Sequence, residues 1–321
     1  MTDPLPARGA RIDDLLELVQ EVRKSLLARD ESPAGDWVER TAEDLRSGAT
    51  LGWYYPPTAG AGLAFYSTSG PEAYGHVHAS EAAGAIDRAE CLTDVLVTKL
   101  PGSIHSVSIG FTGLSPVHEQ ELLGRLSGRP GASVIERLGM ERSLGADDGQ
   151  TPGPVPDGLK LVPIRAVTVD ALADLDHRSV QGSADELLIG NRIEEYRRVT
   201  AALLEGSLGR FLEEASTALY RPDPPQLVGA ILSAERSPRK GILVSFMVDP
   251  EFRRKGYGRF LFRWGLRALW ALGYEKVHLW VTAANEPALR LYREFRLEPI
   301  ARSRIYRVTR VGDTPQPHSD R

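Results

Sequence analysis

One junction constrains this chain more than any other: an apolar, β-branched run that leads into a basic, glycine-containing turn, with a helical pattern directly after it. The run covers residues 242–248, the turn is Arg253-Arg254-Lys255-Gly256-Tyr257-Gly258-Arg259, and the amphipathic pattern covers 258–272. A helix N-terminus leaves backbone N–H groups without partners, and its dipole favours an anion. Glycines let the backbone approach that anion closely, and basic side chains add positive charge. The junction therefore predicts a phosphate-binding cradle.

Other interpretations of this turn fit the residues less well. A solvated basic loop is the simplest alternative, but two glycines at a strand–helix junction favour phosphate binding. A dinucleotide-binding turn of the Rossmann type needs a third glycine after Gly258, and none follows at the required spacing. A P-loop needs Gly-Lys followed by Ser or Thr, which the sequence lacks.

Length and charge place this cradle in the second of two halves. A chain of 321 residues is long enough for two ordinary domains. Residues 1–157 carry 13 basic and 23 acidic side chains, whereas residues 158–310 carry 25 and 18. Because the basic residues concentrate around one turn and one helix, without aromatic residues interleaved on strands, we expect a small anion rather than a nucleic acid.

Other features of the sequence argue against further classes of protein. No apolar run approaches the length of a membrane span, and residues 1–11 lack the apolar core of a signal peptide. The single cysteine, Cys91, excludes an internal disulfide framework and a cysteine-based zinc site. We therefore expect a cytoplasmic protein that binds no metal and no membrane.

The order of predicted elements occurs twice along the chain, which indicates two diverged copies of one fold. Proline, glycine and aspartate dominate the stretch between the copies and predict a linker. The expected organisation is an N-terminal domain (1–145), a linker (146–157), a second domain (158–310) and a disordered tail (311–321). In the second domain the patterns predict strands at 159–164, 216–221, 226–234, 241–248, 275–282 and 297–309, and helices at 167–178, 190–205, 257–272 and 286–295.

This order, with Arg-x-x-Gly-x-Gly after the fourth strand, resembles the GNAT superfamily of acyl-CoA-dependent N-acyltransferases. The turn at 253–258 matches the pyrophosphate-binding motif of that family, and Asn285 to Tyr292 match its Asn-x-x-Ala-x-x-x-Tyr pattern. Either motif alone is weak, but both together, in the correct order and about one helix and one strand apart, are specific. The resemblance covers residues 159–308 and implies a mixed α/β fold with two tandem GNAT-like domains, of which the first is degenerate.

The resemblance also implies roles for individual residues, with acetyl-CoA as co-substrate. The backbone of the fourth strand would pair with the pantetheine arm, the turn would hold the pyrophosphate, and Asn285 would contact the pantetheine or shape the end of the fifth strand. Tyr292 would protonate the leaving thiolate. The implied cofactor-binding residues are Phe246, Met247, Val248, Arg253, Arg254, Lys255, Gly256, Tyr257, Gly258, Arg259 and Asn285.

Two departures from the family are visible. The family often has Glu near the position of Ser245, so the general base is open. In the first half, Ser80 to Asp87 follow the corresponding strand with one glycine, no arginine and two acids, and we align Ile135 with Tyr292. We predict a short helix that begins at Ser133 in this half, and no acyl-CoA chemistry.

Several further patterns have more than one interpretation. The imidazoles of His76 and His78 share one strand face, where a polar surface is favoured over a metal site. An acidic cluster could bind a cationic amine or could be a solvated helix end; its members are Asp185, Glu186, Glu194 and Glu195. The helix after the turn has an expected core face and, on its outer side, Leu266 and Trp270 as candidate contacts; the core face comprises Tyr257, Leu261, Trp264, Ala268 and Leu272.

Taken together, the residues and the resemblance predict an N-acetyltransferase. Acetyl would pass from acetyl-CoA to a primary amine by direct attack in a ternary complex, with a small-molecule or peptide amine as acceptor. The alternatives are a non-catalytic acyl-CoA-binding sensor and a scaffold protein. We expect a monomer or a homodimer.

Overall fold

The computed structural model describes residues 3–28, 37–56, 60–190, 192–206 and 209–310. The chain forms two compact units: unit 1 consists of Met1–Ile135 with Ser303–Arg321, and unit 2 consists of Glu136–Arg302. This division does not follow the linker at 146–157 from which we predicted the domain boundary, because unit 2 already begins ten residues before the predicted linker. The predicted disordered tail at 311–321 lies outside the described residues.

Unit 1 has helices on both faces of a mixed sheet whose strand order is β1-β2-β3-β4-β5-β12. Its strands pair antiparallel except β4 with β5, which are parallel. Its elements are β1 (Leu5–Pro6), α1 (Ile12–Ala28), α2 (Trp37–Ser47), β2 (Leu51–Tyr55), β3 (Gly62–Ser69), β4 (Glu72–Ala79), α3 (Ala85–Thr98), β5 (Ser106–Thr112), α4 (Pro116–Leu126) and the C-terminal part of β12 (Glu298–Thr309).

Apolar residues at helical spacing fix where these helices pack. Leu15, Leu18 and Val22 of α1 are fully buried and belong to the same core cluster as Tyr54 and Leu63 of the sheet. A second cluster joins α3 and α4 to β4 and β5. An apolar stripe of this kind is what holds a helix against a sheet face.

Unit 2 has the same arrangement, with the strand order β6-β11-β10-β9-β8-β7 and one parallel pair, β10 with β11. Its elements are β6 (Ala132–Ser143) from Glu136 onward, β7 (Lys160–Pro163), α5 (Val169–Val180), α6 (Glu186–Ile189), α7 (Ile193–Leu204), β8 (Thr217–Pro222), β9 (Pro225–Ser237), β10 (Lys240–Val248), α8 (Tyr257–Ala271), β11 (Lys276–Thr282), α9 (Glu286–Glu294) and the start of β12. The mixed α/β fold predicted from the sequence is confirmed.

The buried face of α8 differs from the predicted one. Phe262, Gly265, Leu266 and Leu269 are buried, whereas Leu272 is 44% exposed. A Cβ on Gly265 would lie 2.5 Å from Ile231 Cδ1, so the helix meets the sheet most closely along this line. The prediction that Leu266 lies on the outer side is therefore wrong.

The outer side of α8 does carry Trp270, which is 41% exposed. Its indole lies against the short 3₁₀ turn Ala146–Gly149, where a Cβ on Gly149 would be 2.5 Å from Trp270 Cζ3. The N-terminal part of the predicted linker is thus packed against unit 2.

The helix predicted to begin at Ser133 is also wrong. Residues 132–143 form β6, which pairs with β11 from Arg137↔Thr282 to Ser143↔Lys276. Long-range pairing decides the conformation of a segment whose local preference is weak. The helix before β6 is α4, whose N-cap Ser115 accepts a hydrogen bond from His118 N at 3.3 Å.

Candidate functional site

The two parallel strands of unit 2 separate at their carboxyl ends. Pairing between β10 and β11 runs from Lys240↔Lys276 to Leu243↔Leu279 and stops there, although both strands continue. Beyond Leu243 the register of β10 with β9 shifts by a bulge, and β10 then stays paired with β9 as far as Val248. The segment 244–248, which holds the predicted residues Phe246, Met247 and Val248, therefore offers a backbone edge that β11 does not use.

The basic turn follows this segment and opens α8 as predicted. Gly256 is the N-cap residue of α8 with φ 84°, and Arg254 also has a positive φ of 63°. A Cβ built on Gly256 would meet no atom within 4 Å, so the space in front of the helix N-terminus is open. Open space beside the first amides of a fifteen-residue helix fits a phosphate group.

The four cations of the turn have different surroundings. Arg253 donates through Nη2 to Ser179 O and through Nε to Val248 O (3.3 Å), so it ties the turn to α5 and β10. Arg259 forms a two-fold contact with Glu294, at 2.7 and 2.8 Å. Within the described ranges, Arg254 and Lys255 form no ion pair, and the Lys255 ammonium lies 4.9 Å from the centre of the Phe252 ring. The charges best placed to meet a phosphate are therefore those of Arg254 and Lys255.

The second motif brings Asn285 and Tyr292 to the same end of the sheet. Asn285 caps α9 by accepting from Ala288 N at 3.2 Å, and its Nδ2 donates to Asp185 Oδ2 at 2.6 Å. Tyr292 is 6% exposed, and its ring centre lies 6.3 Å from that of Phe246, on the free segment of β10. Burial, with the charge of Asp185, raises the pKa of Tyr292, so its hydroxyl keeps its proton at neutral pH.

Two charged residues that the sequence did not reveal belong to this cluster. The carboxylate of Asp185 acts electrostatically on Asp176 of α5 and on Arg137 of β6 as well as on Tyr292. Burial, followed by the negative charge of Asp185, raises the pKa of Asp176 to about 7. A carboxyl group that titrates near neutrality can exchange protons with a substrate.

The sequence held a faint signal for Asp176 only. It lies four residues after the buried Leu172, so a carboxyl group stands near the apolar stripe of α5. Arg137 gave no signal, because its place depends on the pairing of β6 with β11.

Of the predicted acidic cluster, the structure brings Asp185 to Tyr292. Glu186 accepts a hydrogen bond from Gly182 N at 3.0 Å, and Glu195 lies 3.8 Å from Arg192 Nε. Glu194 is exposed on the first turn of α7. Glu186 and Glu195 therefore have local partners in unit 2, and amine binding by the cluster stays a prediction.

In unit 1, the strand edge and the helix N-terminus that are free in unit 2 are occupied by other residues. Its parallel strands β4 and β5 pair without interruption from Glu72↔Ser106 to His78↔Thr112. Gly84 caps α3 with φ 76°, as Gly256 caps α8, but Arg88 folds back over this turn and donates to Ala83 O at 2.7 Å. The carboxylate of Glu81 in the same turn accepts from Ser115 N at 2.7 Å. A phosphate at this helix N-terminus would therefore be repelled by the carboxylate of Glu81.

The tyrosine also has no counterpart in unit 1. If the N-caps Ser115 and Asn285 are superposed, the position of Tyr292 falls on Leu122 of α4, which is fully buried. The alignment of Ile135 with Tyr292 is therefore wrong, since Ile135 lies on β6. Neither residue carries a hydroxyl group.

The two histidines of β4 share one partner. His76 Nε2 and His78 Nδ1 lie 2.8 and 3.0 Å from Thr112 Oγ1, and burial lowers the pKa of His78 to about 4. Across the described ranges, no group of three or more His, Cys, Asp or Glu side chains is arranged to hold a metal ion. None of the described helices is long and apolar enough to cross a membrane.

Residues 185–296 match the model of the Acetyltransferase (GNAT) family. No curated protein sequence matches the chain significantly. The fold is similar to that of a GCN5-related N-acetyltransferase from Sphaerobacter thermophilus, with a TM-score of 0.57, 17% identity and 95% of each chain covered. It is also similar to a tandem GNAT protein from the clavulanic acid biosynthesis pathway, with a TM-score of 0.53, 14% identity, and 96% of this chain and 98% of that chain covered.

The family match contains the separated strands, the open helix N-terminus and Tyr292. The similarity to the solved structures extends over nearly the whole chain and therefore also includes unit 1. Residues 185–296 thus resemble the GNAT acetyltransferase family, and the chain has the fold of solved GNAT proteins, a tandem GNAT protein among them.

Proposed function

We propose that unit 2 transfers an acetyl group from acetyl-CoA to a primary amine, by direct attack in a ternary complex. The observation that carries this proposal is the parting of β10 from β11 next to the open N-terminus of α8. An extended thioester arm needs an unused strand edge, and a pyrophosphate needs free amides. The free edge of β10 and the first amides of α8 are separated here by a single turn of the chain. The described part of unit 1 offers neither of these at the corresponding positions, and we propose that this unit serves as a scaffold.

The residues of unit 2 fit acetyl-CoA, which supplies an activated acetyl thioester. The backbone of Phe246, Met247 and Val248 would pair with the pantetheine arm as a strand pairs with its neighbour. The amides after Arg253, up to Arg259, would bind the pyrophosphate, with Arg254 and Lys255 adding charge. Asn285 would hold the end of β11 in place through its cap on α9 and its bond to Asp185.

We propose Asp176 as the general base that the sequence left open. Amine acceptors are mostly protonated at pH 7, and a base that titrates near this pH removes the proton efficiently. Asp176 titrates there because it is desolvated and faces Asp185. Ser245 on β10, where the family often has glutamate, is partly exposed and cannot act as a carboxylate base.

Tyr292 would act at the leaving group. Its hydroxyl stays protonated at neutral pH and can donate to the thiolate as the thioester bond breaks. The positive charge of Arg137 opposes part of the rise in its pKa and so makes it a better donor. The described cluster holds no cysteine, which favours direct attack by the amine over an acyl-enzyme.

Paired glycine variants test the binding half of this proposal. Gly256 and Gly84 both have a positive φ and both cap a helix after a sheet strand. Gly256→Asp places a carboxylate before the open amides and should abolish CoA binding in a calorimetric titration. Gly84→Asp imposes similar backbone strain and should leave it unchanged. If Gly256→Asp binds CoA with wild-type affinity, the phosphate-binding role of this turn is refuted.

Thiol release tests the catalytic half. Acetyl-CoA with a panel of primary amines should release CoA at a rate that depends on the amine. Binding of CoA without release for any amine would support the acyl-CoA sensor instead. The affinity for CoA and the turnover thus separate the two functions.

A further inference from the structure

Arg137 is a half-buried cation without a carboxylate partner among the described residues. Its Nη2 donates to Trp280 O at 3.1 Å, and its Nε is buried and makes no hydrogen bond to the described residues. No carboxylate in the described ranges lies within 4 Å of its guanidinium, and burial lowers the pKa of Arg137. An arginine remains charged in proteins, so this burial is costly unless an anion joins it.

Two other arginines with low exposure have such an anion. Arg307, which is 4% exposed, lies 3.0 Å from Glu72, and Arg142 is paired with Asp148. Asp185, whose charge reaches Arg137, is held instead by the amide of Asn285 at 2.6 Å. Among the described residues of unit 2, Arg137 therefore has no carboxylate counter-ion within 4 Å.

The position of Arg137 puts this charge at the reaction site. It lies opposite Thr282, the last residue of β11, and the backbone is fixed there by the bond from Ala283 N to Glu136 O at 2.8 Å. Thr282 Oγ1 is buried and has no hydrogen-bond partner in the described part of the chain. Two donors with unused capacity, a guanidinium and a hydroxyl, thus stand side by side next to Tyr292.

We propose that Arg137, with Thr282, binds a carboxylate of the acceptor, so that the acceptor is an amino acid or a similar amine that carries a carboxylate. The inference rests on the proposed acetyl transfer and specifies its substrate class. A guanidinium takes a carboxylate through two parallel hydrogen bonds, which fixes orientation as well as charge. Asp176 would meet the ammonium end of the same molecule, so the charges of the site complement a dipolar acceptor.

Matched pairs of amino acids and their amides test this proposal. We expect the wild type to acetylate the carboxylate form with a kcat/KM on the order of 10- to 100-fold above that of the amide, as a charge-assisted hydrogen-bond pair allows. Arg137→Met should remove this preference while the KM for acetyl-CoA stays constant. Arg137→Lys should restore part of it. Arg302→Met, an exposed arginine paired with Glu136, is the control and should keep the preference.

A titration of the products makes the result independent of turnover. With CoA present, N-acetylglycine and N-acetyl-L-phenylalanine should bind at least 10-fold more tightly than their amides, followed by tryptophan fluorescence, and Arg137→Met should abolish the difference. Equal binding of acids and amides by the wild type, or a preference that survives in Arg137→Met, would overturn the proposal. Loss of CoA binding and of all turnover would instead refute the acetyl transfer, and CoA titration of the wild type distinguishes the two.

Discussion

Replacement of Asp176 by asparagine should make the protein more stable at alkaline pH and much less active. Asp176 is desolvated in the folded state, and its pKa rises from 3.8 to about 7. Between these two values the folded state keeps a proton that the unfolded state releases. Stability from this group is therefore complete below about pH 4 and is lost as the pH rises towards 7.

The size of the loss follows from the shift. One pKa unit corresponds to about 1.4 kcal/mol, so the wild type should lose about 2–3 kcal/mol of unfolding free energy between pH 5 and pH 8 through this group. Asparagine resembles the protonated carboxyl and carries no charge at either pH. The free energy of unfolding of Asp176→Asn, relative to the wild type, should therefore be higher at pH 8 than at pH 5 by this amount.

Urea unfolding at the two pH values, followed by tryptophan fluorescence, measures this difference. Asp174→Asn is the matched control, since it makes the same substitution at an exposed position of the same helix. As a general base, Asp176 should also produce a rise of kcat/KM with an apparent pKa near 7, and Asp176→Asn should lower kcat by about 10²- to 10⁴-fold. An advantage of the variant that is equal at pH 5 and pH 8 would show that Asp176 is not desolvated and would refute the reasoning.

Three further changes have defined outcomes. Tyr292→Phe should lower kcat on the order of 10²-fold with little change in the KM for acetyl-CoA, measured by thiol release; an unchanged kcat would leave Tyr292 with a packing role only. Gly131→Ala should lower the melting temperature, because Gly131 has φ 72° and a Cβ there would lie 2.1 Å from Thr309 O. Gly102→Ala is the control and should leave the melting temperature unchanged, because a Cβ at Gly102 would meet no atom within 4 Å. A fragment 136–302 should bind CoA in solution and a fragment 158–310 should aggregate, because the second lacks the strand that covers β11; equal solubility of the two would contradict the unit boundaries.

The cradle could be predicted because its determinants are local. A glycine at the start of a helix, an apolar run before it and cations around it act within about twenty residues, and the structure places Gly256 at the N-cap of α8. Most strands and helices of unit 2 were likewise predictable from their patterns. The exceptions are α6, which precedes the helix predicted at 190–205, and β6, whose start was predicted as a helix. The motif Asn285 to Tyr292 forms one capped helix, so its internal geometry is also local.

The remainder of the site depends on contacts between distant segments. Arg137 joins the site through a strand pair that links residues about 140 positions apart, and no spacing in the sequence encodes that register. Asp176 acquires its proton affinity from burial and from Asp185, neither of which a pattern displays. The buried face of α8 differs from the predicted one because Gly265 lets the helix approach the sheet closely, and this outweighs the apolar stripe that the sequence suggested.

The order in which the two units can be completed during synthesis follows from their boundaries. Unit 2 is one continuous segment, whereas unit 1 needs its last strand from residues 305–309 to pair with β5. A ribosome therefore delivers every residue of unit 2 before unit 1 has its final strand. Until then β5 stands as an open sheet edge, which invites pairing with other chains. A premature stop after residue 310 would still lie beyond that strand, whereas one at residue 300 would leave the edge exposed permanently.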